Sequence, residues 1–355
     1  MKDSRHEKVA GILVDYSTKV KKNDFVQIVG HSAADSLMLE VYKLCLLRGA
    51  IPVIHASIPG SAFLFYKHAQ PHQINYFPRI SWEEIRQTDV YISLSADYNT
   101  REFTNIDPAK MTSRAKVVKR ISDWRVQNTR WCIFDSPTHA LAQDAGMSLD
   151  EYEDFVYNST LIDWEEFAKE LHRLAGIVNS TKDVRIIGKD TELSFSIRGM
   201  NCVPGDGRYN MPDGEVFTAP VKNSVNGRVF FDLPANYNGN EVEGIYLEFK
   251  DGRCVLARAE KNEKFLLGML DQDAGSRFIG EFGIGCNYNI QQFTKNILFD
   301  EKIGGTVHLA MGQSYKECRG KNTSALHWDM IKDLRKNGTV MFGNNVFESA
   351  GRIVM

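Results

Sequence analysis

Two histidines and three carboxylates in the C-terminal half have the types and settings of metal ligands. In Ala325–Leu326–His327–Trp328–Asp329 the HxD spacing, on an extended segment, puts an imidazole and a carboxylate side by side, because strand side chains alternate between faces. In Thr306–Val307–His308–Leu309–Ala310 a histidine interrupts an apolar run, and a buried imidazole needs a partner. Glu215 in MPDGEVFTAP stands where a glycine-containing turn meets an apolar segment. Glu281 in FIGEFGIGCN is flanked by glycines inside an apolar strand, whereas Glu241 and Glu248 alternate with apolar residues like the exposed face of an ordinary strand. Seven of the nine histidines lie before residue 180, so His308 and His327 are the two left for the second half. Taken singly, each feature also fits a surface pair or a hydrogen-bonded core histidine.

Taken together, two histidines and three carboxylates suit a pair of closely spaced divalent cations bridged by a carboxylate or water oxygen. Such a centre lowers the pKa of a bound water, polarises a carbonyl and clamps a tetrahedral intermediate. Tyr315, seven residues beyond His308 in HLAMGQSY, is placed to donate a hydrogen bond to a developing oxyanion, although a tyrosine there also fits plain packing.

The elements that must position these residues differ between the two halves of the 355-residue chain. Up to about residue 185, strand-like runs (Phe25–Gly30, Ala50–His55, Asp89–Ala96, Trp131–Phe134) alternate with amphipathic segments such as Ala33–Arg48. That rhythm predicts an α/β N-terminal domain with a mainly parallel sheet over residues 1–185. Beyond it, strands follow closely at Val184–Gly188, Thr191–Ile197, Gly227–Leu233, Val242–Phe249 and Arg253–Ala259, with one helix at Lys261–Leu270. Turn signals at Asn226–Gly227, Asn238–Gly239–Asn240 and Asp251–Gly252 predict an α+β, largely antiparallel catalytic domain over residues 186–355.

The formal net charge of −2 gives no excess positive field for nucleic acid or anionic lipid. The basic stretch Lys116–Arg125 interleaves Val117, Val118 and Ile121 at helical spacing, which reads as a solvated helix face. The six cysteines (Cys45, Cys132, Cys202, Cys254, Cys286, Cys318) form no CxxC pair and read as reduced structural thiols. The charged N-terminus lacks the apolar run of a signal peptide or membrane span, so a cytoplasmic location is expected. FVQIVGHSAAD ends a strand and opens a helix but has neither phosphate-loop pattern, so it reads as a scaffold turn with the helix capped by Ser32.

With these motifs in view, the sequence resembles the thermophilic leucyl aminopeptidase family, whose members include aminopeptidases T and S. The resemblance is carried by EVFTAP from Glu215, HLAMGQSY from His308, NTSALHWDM from Asn322, and WCIFDSPTHALAQDAGMSLDEYEDFV from Trp131. It implies two divalent ions (Zn, Co, Mn or Mg) held by Glu215, Glu281, His308, His327 and Asp329, with Tyr315 assisting. Glu215 or Glu281 then moves the proton. It further implies a homodimer with an enclosed site that takes peptides with a free N-terminus.

Two other readings stay open at this stage. Two histidines and one carboxylate suffice for a mononuclear non-haem Fe(II) ring-cleaving dioxygenase, and such enzymes share the HxD feature. A peptide-binding protein that kept the fold and lost turnover is the non-enzymatic alternative.

Overall fold

Strands joined by helical crossovers build the first part of the chain. The computed structural model describes residues 3–237 and 239–355. Strands Phe25–His31, Ile51–Ser57, Val90–Ser95 and Arg130–Asp135 are all parallel, and Asn210–Met211 returns to lie parallel to the last of them. Their inward residues are apolar and mostly β-branched: Val26, Ile28, Val90, Ile92, Leu94, Cys132 and Phe134 are fully buried. Helix Asp35–Leu47 turns Leu37, Met38, Val41 and Cys45 inward at helical spacing. Helix Pro108–Asn128 has no fully buried residue; Val117, Val118 and Ile121 are half-buried and Lys116, Lys119 and Arg120 face solvent, as expected of that stretch, whereas Arg125 departs from it by lying over the rings of Tyr91 and Trp131.

One local expectation is corrected. Ser32 does not cap the helix after the first strand. Ser32–Ala34 forms a short 3-10 turn, and the cap position falls on Ala34, which offers no side-chain acceptor. No helix among the described residues is long and apolar enough to cross a membrane.

Two compact units divide the chain, one running to Ile162 with Gly207–Pro212 added, the other comprising Asp163–Asp206 and Asp213–Met355. The division precedes the change of rhythm near residue 185 for a physical reason. Helix Trp164–Ser180, capped by Asp163, carries Leu171, Leu174, Ala175 and Val178 as one apolar stripe, and that stripe joins the core of the second unit.

The second unit is built from two larger antiparallel sheets. One has eight strands, including Asp183–Gly188, Thr191–Ser196, Asn226–Phe231, Ile245–Lys250 and Arg253–Arg258. The other has five, in the spatial order His327–Asp333, Thr306–Gly312, Ile279–Gly285, Glu215–Thr218, Val203–Gly205. A single apolar cluster joins them, with Phe195 of the first sheet meeting Phe282 of the second edge-on at 5.1 Å. Asp251 and Gly252 take positive φ (50° and 84°) and close the hairpin there, as the DG signal predicts. Asn226–Gly227 instead opens a strand, with Asn226 accepting from the Asp251 amide at 2.9 Å. Asn238 of the third turn signal lies outside the described residues. The expected run Val242–Phe249 is split, because Asn240–Val242 pairs with Ala235–Tyr237 while Ile245–Lys250 enters the large sheet. All six cysteines are buried and none is in a disulfide among the described residues.

One buried carboxyl in this unit makes stability depend on pH. Glu348 is 0% exposed, neither of its oxygens finds a hydrogen-bond partner, and burial, with a smaller push from Asp333, raises its carboxyl to about 8. An unfolded glutamate ionises near pH ~4.3, so the stabilising neutral form is fully present below that pH and is lost as pH rises through about 8. Glu348→Gln removes the titration. In chelator, its Tm is expected to fall less between pH 5 and 9 than that of the parent, by the equivalent of several kcal/mol at most. Parallel Tm profiles would contradict the assignment; a constant offset is the amide's own burial cost.

Candidate metal centre

The five-stranded sheet brings the five proposed ligands to one face. Glu281, Ala310 and Asp329 lie side by side across three strands, as do Gly283 and His308, Gly285 and Glu215, and Gly312 and His327. Paired residues project to the same side, so Glu215, Glu281, His308, His327 and Asp329 share a face with small residues between them. The alternate residues, Val216, Phe282, Ile284, Val307, Leu309, Met311, Trp328 and Met330, face the other way into the core. Gly283 is needed for this arrangement: a Cβ there would meet the His308 imidazole at 2.0 Å.

His308 Nε2 lies 3.2 Å from Glu215 Oε2 and 3.5 Å from Glu281 Oε1, and His327 Nε2 lies 3.3 Å from Glu281 Oε2 and 3.6 Å from Asp329 Oδ2. The other ring nitrogens face carbonyls, which can only accept. His308 Nδ1 donates to Glu301 O (3.1 Å) and His327 Nδ1 donates to Gln313 O (2.8 Å), so both rings are oriented with Nε2 toward the carboxylates. Glu241 and Glu248 are engaged elsewhere, the first with Lys261 and Lys295, the second with the Tyr246 hydroxyl.

The donor set fits divalent cations. Glu215 Oε2, His308 Nε2 and Asp329 Oδ1 are buried without hydrogen-bond partners, although each can ligate a metal. The charge pattern agrees. Burial opposes ionisation of Glu281, but the His308 and His327 imidazoles outweigh it and hold its carboxyl at about 2. Burial works against protonating the imidazoles, yet Glu215 and Glu281 raise His308 to about 10, and Glu281 and Asp329 raise His327 to about 9. Burial drives Glu215 well up, and Asp329 to about 6. Three carboxylates and two imidazoles thus crowd one buried face, a donor set that divalent ions can satisfy.

Tyr315 packs at the margin, its ring 4.9 Å from His327 and 5.8 Å from Phe217. Although the residue is 43% exposed, packing around it and the charges of Glu281 and Asp329 push its phenol above the ordinary value, so it remains a donor.

A sequence model described as thermophilic metalloprotease (M29) matches residues 2–346. The chain belongs to this family. Aminopeptidase 2 of Geobacillus stearothermophilus is 25% identical, with 97% of this chain and 98% of that protein aligned. Aminopeptidase T of Thermus thermophilus is 31% identical over 47% of each chain. The solved structure of wild-type AmpT from Thermus thermophilus superposes with a TM-score of 0.88 at 22% identity, covering 99% of each chain, and so shares the fold. The protein is therefore a metal-dependent hydrolase of a metallo-aminopeptidase family.

Two residues of this family member that sequence reasoning missed stand beside the proposed ligands. Lys302 is fully buried, ion-paired with Glu301, and its Nζ lies 3.5 Å from Glu215 Oε1. Glu301 can itself bring an oxygen within 4.8 Å of ligand atoms of His308 and Asp329. The one available signal was the charged run Asp300–Glu301–Lys302 set between apolar Leu298–Phe299 and Ile303.

Proposed function

We propose that the protein hydrolyses the N-terminal peptide bond of short peptides at a centre of two divalent ions. One observation carries the reading: Glu281 belongs to two ligand groups, Glu215–Glu281–His308 and Glu281–His327–Asp329, which share no other member. Each group would hold one ion (Zn, Co, Mn or Mg), with Glu281 between them. Divalent ions so held polarise a scissile carbonyl and acidify water toward neutral pH. Glu215 or Glu281 carries the proton of the attacking water to the leaving amine. The Tyr315 hydroxyl donates to the developing oxyanion, so Tyr315→Phe is expected to lower kcat by roughly 100- to 1000-fold with metal content unchanged. A small kcat effect in that variant would return Tyr315 to a packing role.

The test of the function is reconstitution. Metal-free protein given Co²⁺, Mn²⁺, Zn²⁺ or Mg²⁺ should cleave an aminoacyl anilide and spare its N-acetylated counterpart. No cleavage with any of these ions across a broad panel of free-N-terminal substrates would sink the reading, and binding without cleavage would favour the non-catalytic alternative. A ring-cleaving dioxygenase needs one iron and a single carboxylate; the family match and the convergence of Glu215, Glu281 and Asp329 support the peptidase instead.

The family resemblance further supports a cytoplasmic homodimer. Light scattering should give twice the 40.2 kDa chain mass, and a monomer would remove that part of the reading.

A further inference from the structure

We propose that the turn over residues 315–320, with Lys321 beside it, is a carboxylate-binding rim that takes the free C-terminal carboxylate of di- and tripeptides. This names the substrate class of the aminopeptidase reading above and rests on that reading. The turn connects strand Thr306–Gly312, which carries His308, to strand His327–Asp333. It starts at Tyr315, whose ring stands 4.9 Å from that of His327, so the residues after it begin at the margin of the proposed centre. Lys316, Arg319 and Lys321 are all exposed there, against one carboxylate, that of Glu317. None of the three cations has an ion-pair partner among the described residues.

The backbone fixes where these cations stand. The Arg319 amide donates to Lys316 O (2.9 Å) and the Gly320 amide to Tyr315 O (3.2 Å), which closes the turn on itself. Asn201 pins it from outside, its amide donating to Cys318 O (3.1 Å) and its Nδ2 to Glu317 O (3.0 Å), and the Cys318 side chain is buried. At the base, the Ser314 amide donates to Asn322 O (3.1 Å). Arg319 has a φ of 60°, in the left-handed region where glycine is the unstrained choice. A long cation held at such a position, four residues from Tyr315, points to use rather than to folding.

Substrate geometry agrees. In a dipeptide the carboxylate carbon lies three bonds beyond the attacked carbonyl carbon, under about 4 Å away, and each further residue carries it onward by at most about 3.6 Å. The carboxylate of a short peptide therefore stays near the margin of the centre, within reach of long lysine and arginine side chains, and that of a longer peptide is carried away. These donors meet a carboxylate through charge-assisted hydrogen bonds, whereas a carboxamide offers no charge and one acceptor oxygen. An acidic side chain on the second residue would bring the same chemistry, and the test separates the two sources.

The test compares acid with amide. Leucylglycine with its peptide carbonyl replaced by a methylene is not hydrolysed, and calorimetry on the Mn²⁺-loaded protein should show it binding about 5- to 50-fold more tightly than its C-terminal amide. Added salt should shrink that preference, because the cations are exposed. The triple variant Lys316→Gln, Arg319→Gln, Lys321→Gln should bring acid and amide to within about threefold of each other at the parent's metal content. In the parent, kcat/KM should favour leucylglycine over its amide, and the difference should fade between leucyl-tetraglycine and its amide. Arg319→Gly removes one cation and the backbone strain together, so its Tm should hold or rise while the preference falls. A triple variant that keeps the parent's preference overturns the rim, as does Arg319→Gly with a preference unchanged. A preference confined to the α-amide of leucylaspartic acid over leucylasparagine amide assigns the cations to the second side chain and overturns the C-terminal reading. A parent that cleaves no substrate with a free N-terminus sinks the aminopeptidase reading itself; one that cleaves but treats acid and amide alike sinks the rim alone.

Discussion

Glu281→Gln is expected to bind neither ion at its parent affinity and to lose at least about 1000-fold in kcat/KM. The carboxylate of Glu281 faces both imidazoles, at 3.5 Å from His308 Nε2 and 3.3 Å from His327 Nε2, and it is the shared member of two ligand groups. A neutral amide in its place gives each ion one weak oxygen or a nitrogen, in a site whose buried atoms were arranged for a charge. Asp329→Asn is the informative comparison, because Asp329 stands with Glu281 and His327 but not in the group with Glu215. That variant should give up one ion and keep the other. Metal content by atomic emission on freshly dialysed protein reads both. Should Glu281→Gln keep a full complement of ions, Glu281 is not a ligand and the two-ion reading loses its hinge.

The second large effect comes from a residue with no side chain. In Gly283→Ala the new methyl would sit 2.0 Å from His308 Cε1 and 2.1 Å from Nε2, closer than atoms can approach. The ring cannot swing aside freely, since its Nδ1 is bonded to Glu301 O at 3.1 Å and the residue is 0% exposed. Either the strands part or the imidazole leaves its place. The expected outcome is about 1–3 kcal/mol of lost stability together with at least roughly tenfold weaker binding at the Glu215–Glu281–His308 position. Gly268→Ala is the control, because it lies in helix Glu263–Leu270 with open space around it and should be neutral or stabilising by up to about 1 kcal/mol. Thermal melts and metal titrations of the two variants separate a glycine kept for room from one that is not; equal behaviour would remove Gly283 from the centre.

The legible parts of this protein were those encoded by local pattern. The strands at residues 25, 51, 90 and 130 announce themselves by β-branched runs, and their parallel arrangement follows from the helices between them. His327 and Asp329 could be nominated because alternation along a strand fixes which side chains share a face, and His308 because an imidazole in a buried apolar run needs a partner. Three kinds of information lay beyond such reading. The run Asp300–Glu301–Lys302 has the composition of a solvated loop, and only tertiary packing reveals that Asp300 and Lys302 are buried. The role of Gly283 is set by cross-strand register, which places it opposite a histidine far along the chain. The membership of helix Trp164–Ser180 depends on which sheet receives its stripe, a choice its own amphipathic pattern leaves open.

The sheet that carries the proposed ligands has its core on the reverse side, and this links two properties that are often tuned separately. Trp328 sits between His327 and Asp329, Phe282 follows Glu281, and Val307 and Leu309 bracket His308, all of them core residues. A change that lets the core relax near Trp328 is therefore one peptide away from two proposed ligands. Drift in this molecule is constrained letter by letter: positions that tolerate repacking and positions that tolerate no movement alternate along the same strands, so adaptation to a new temperature would be expected to retune metal affinity along with it.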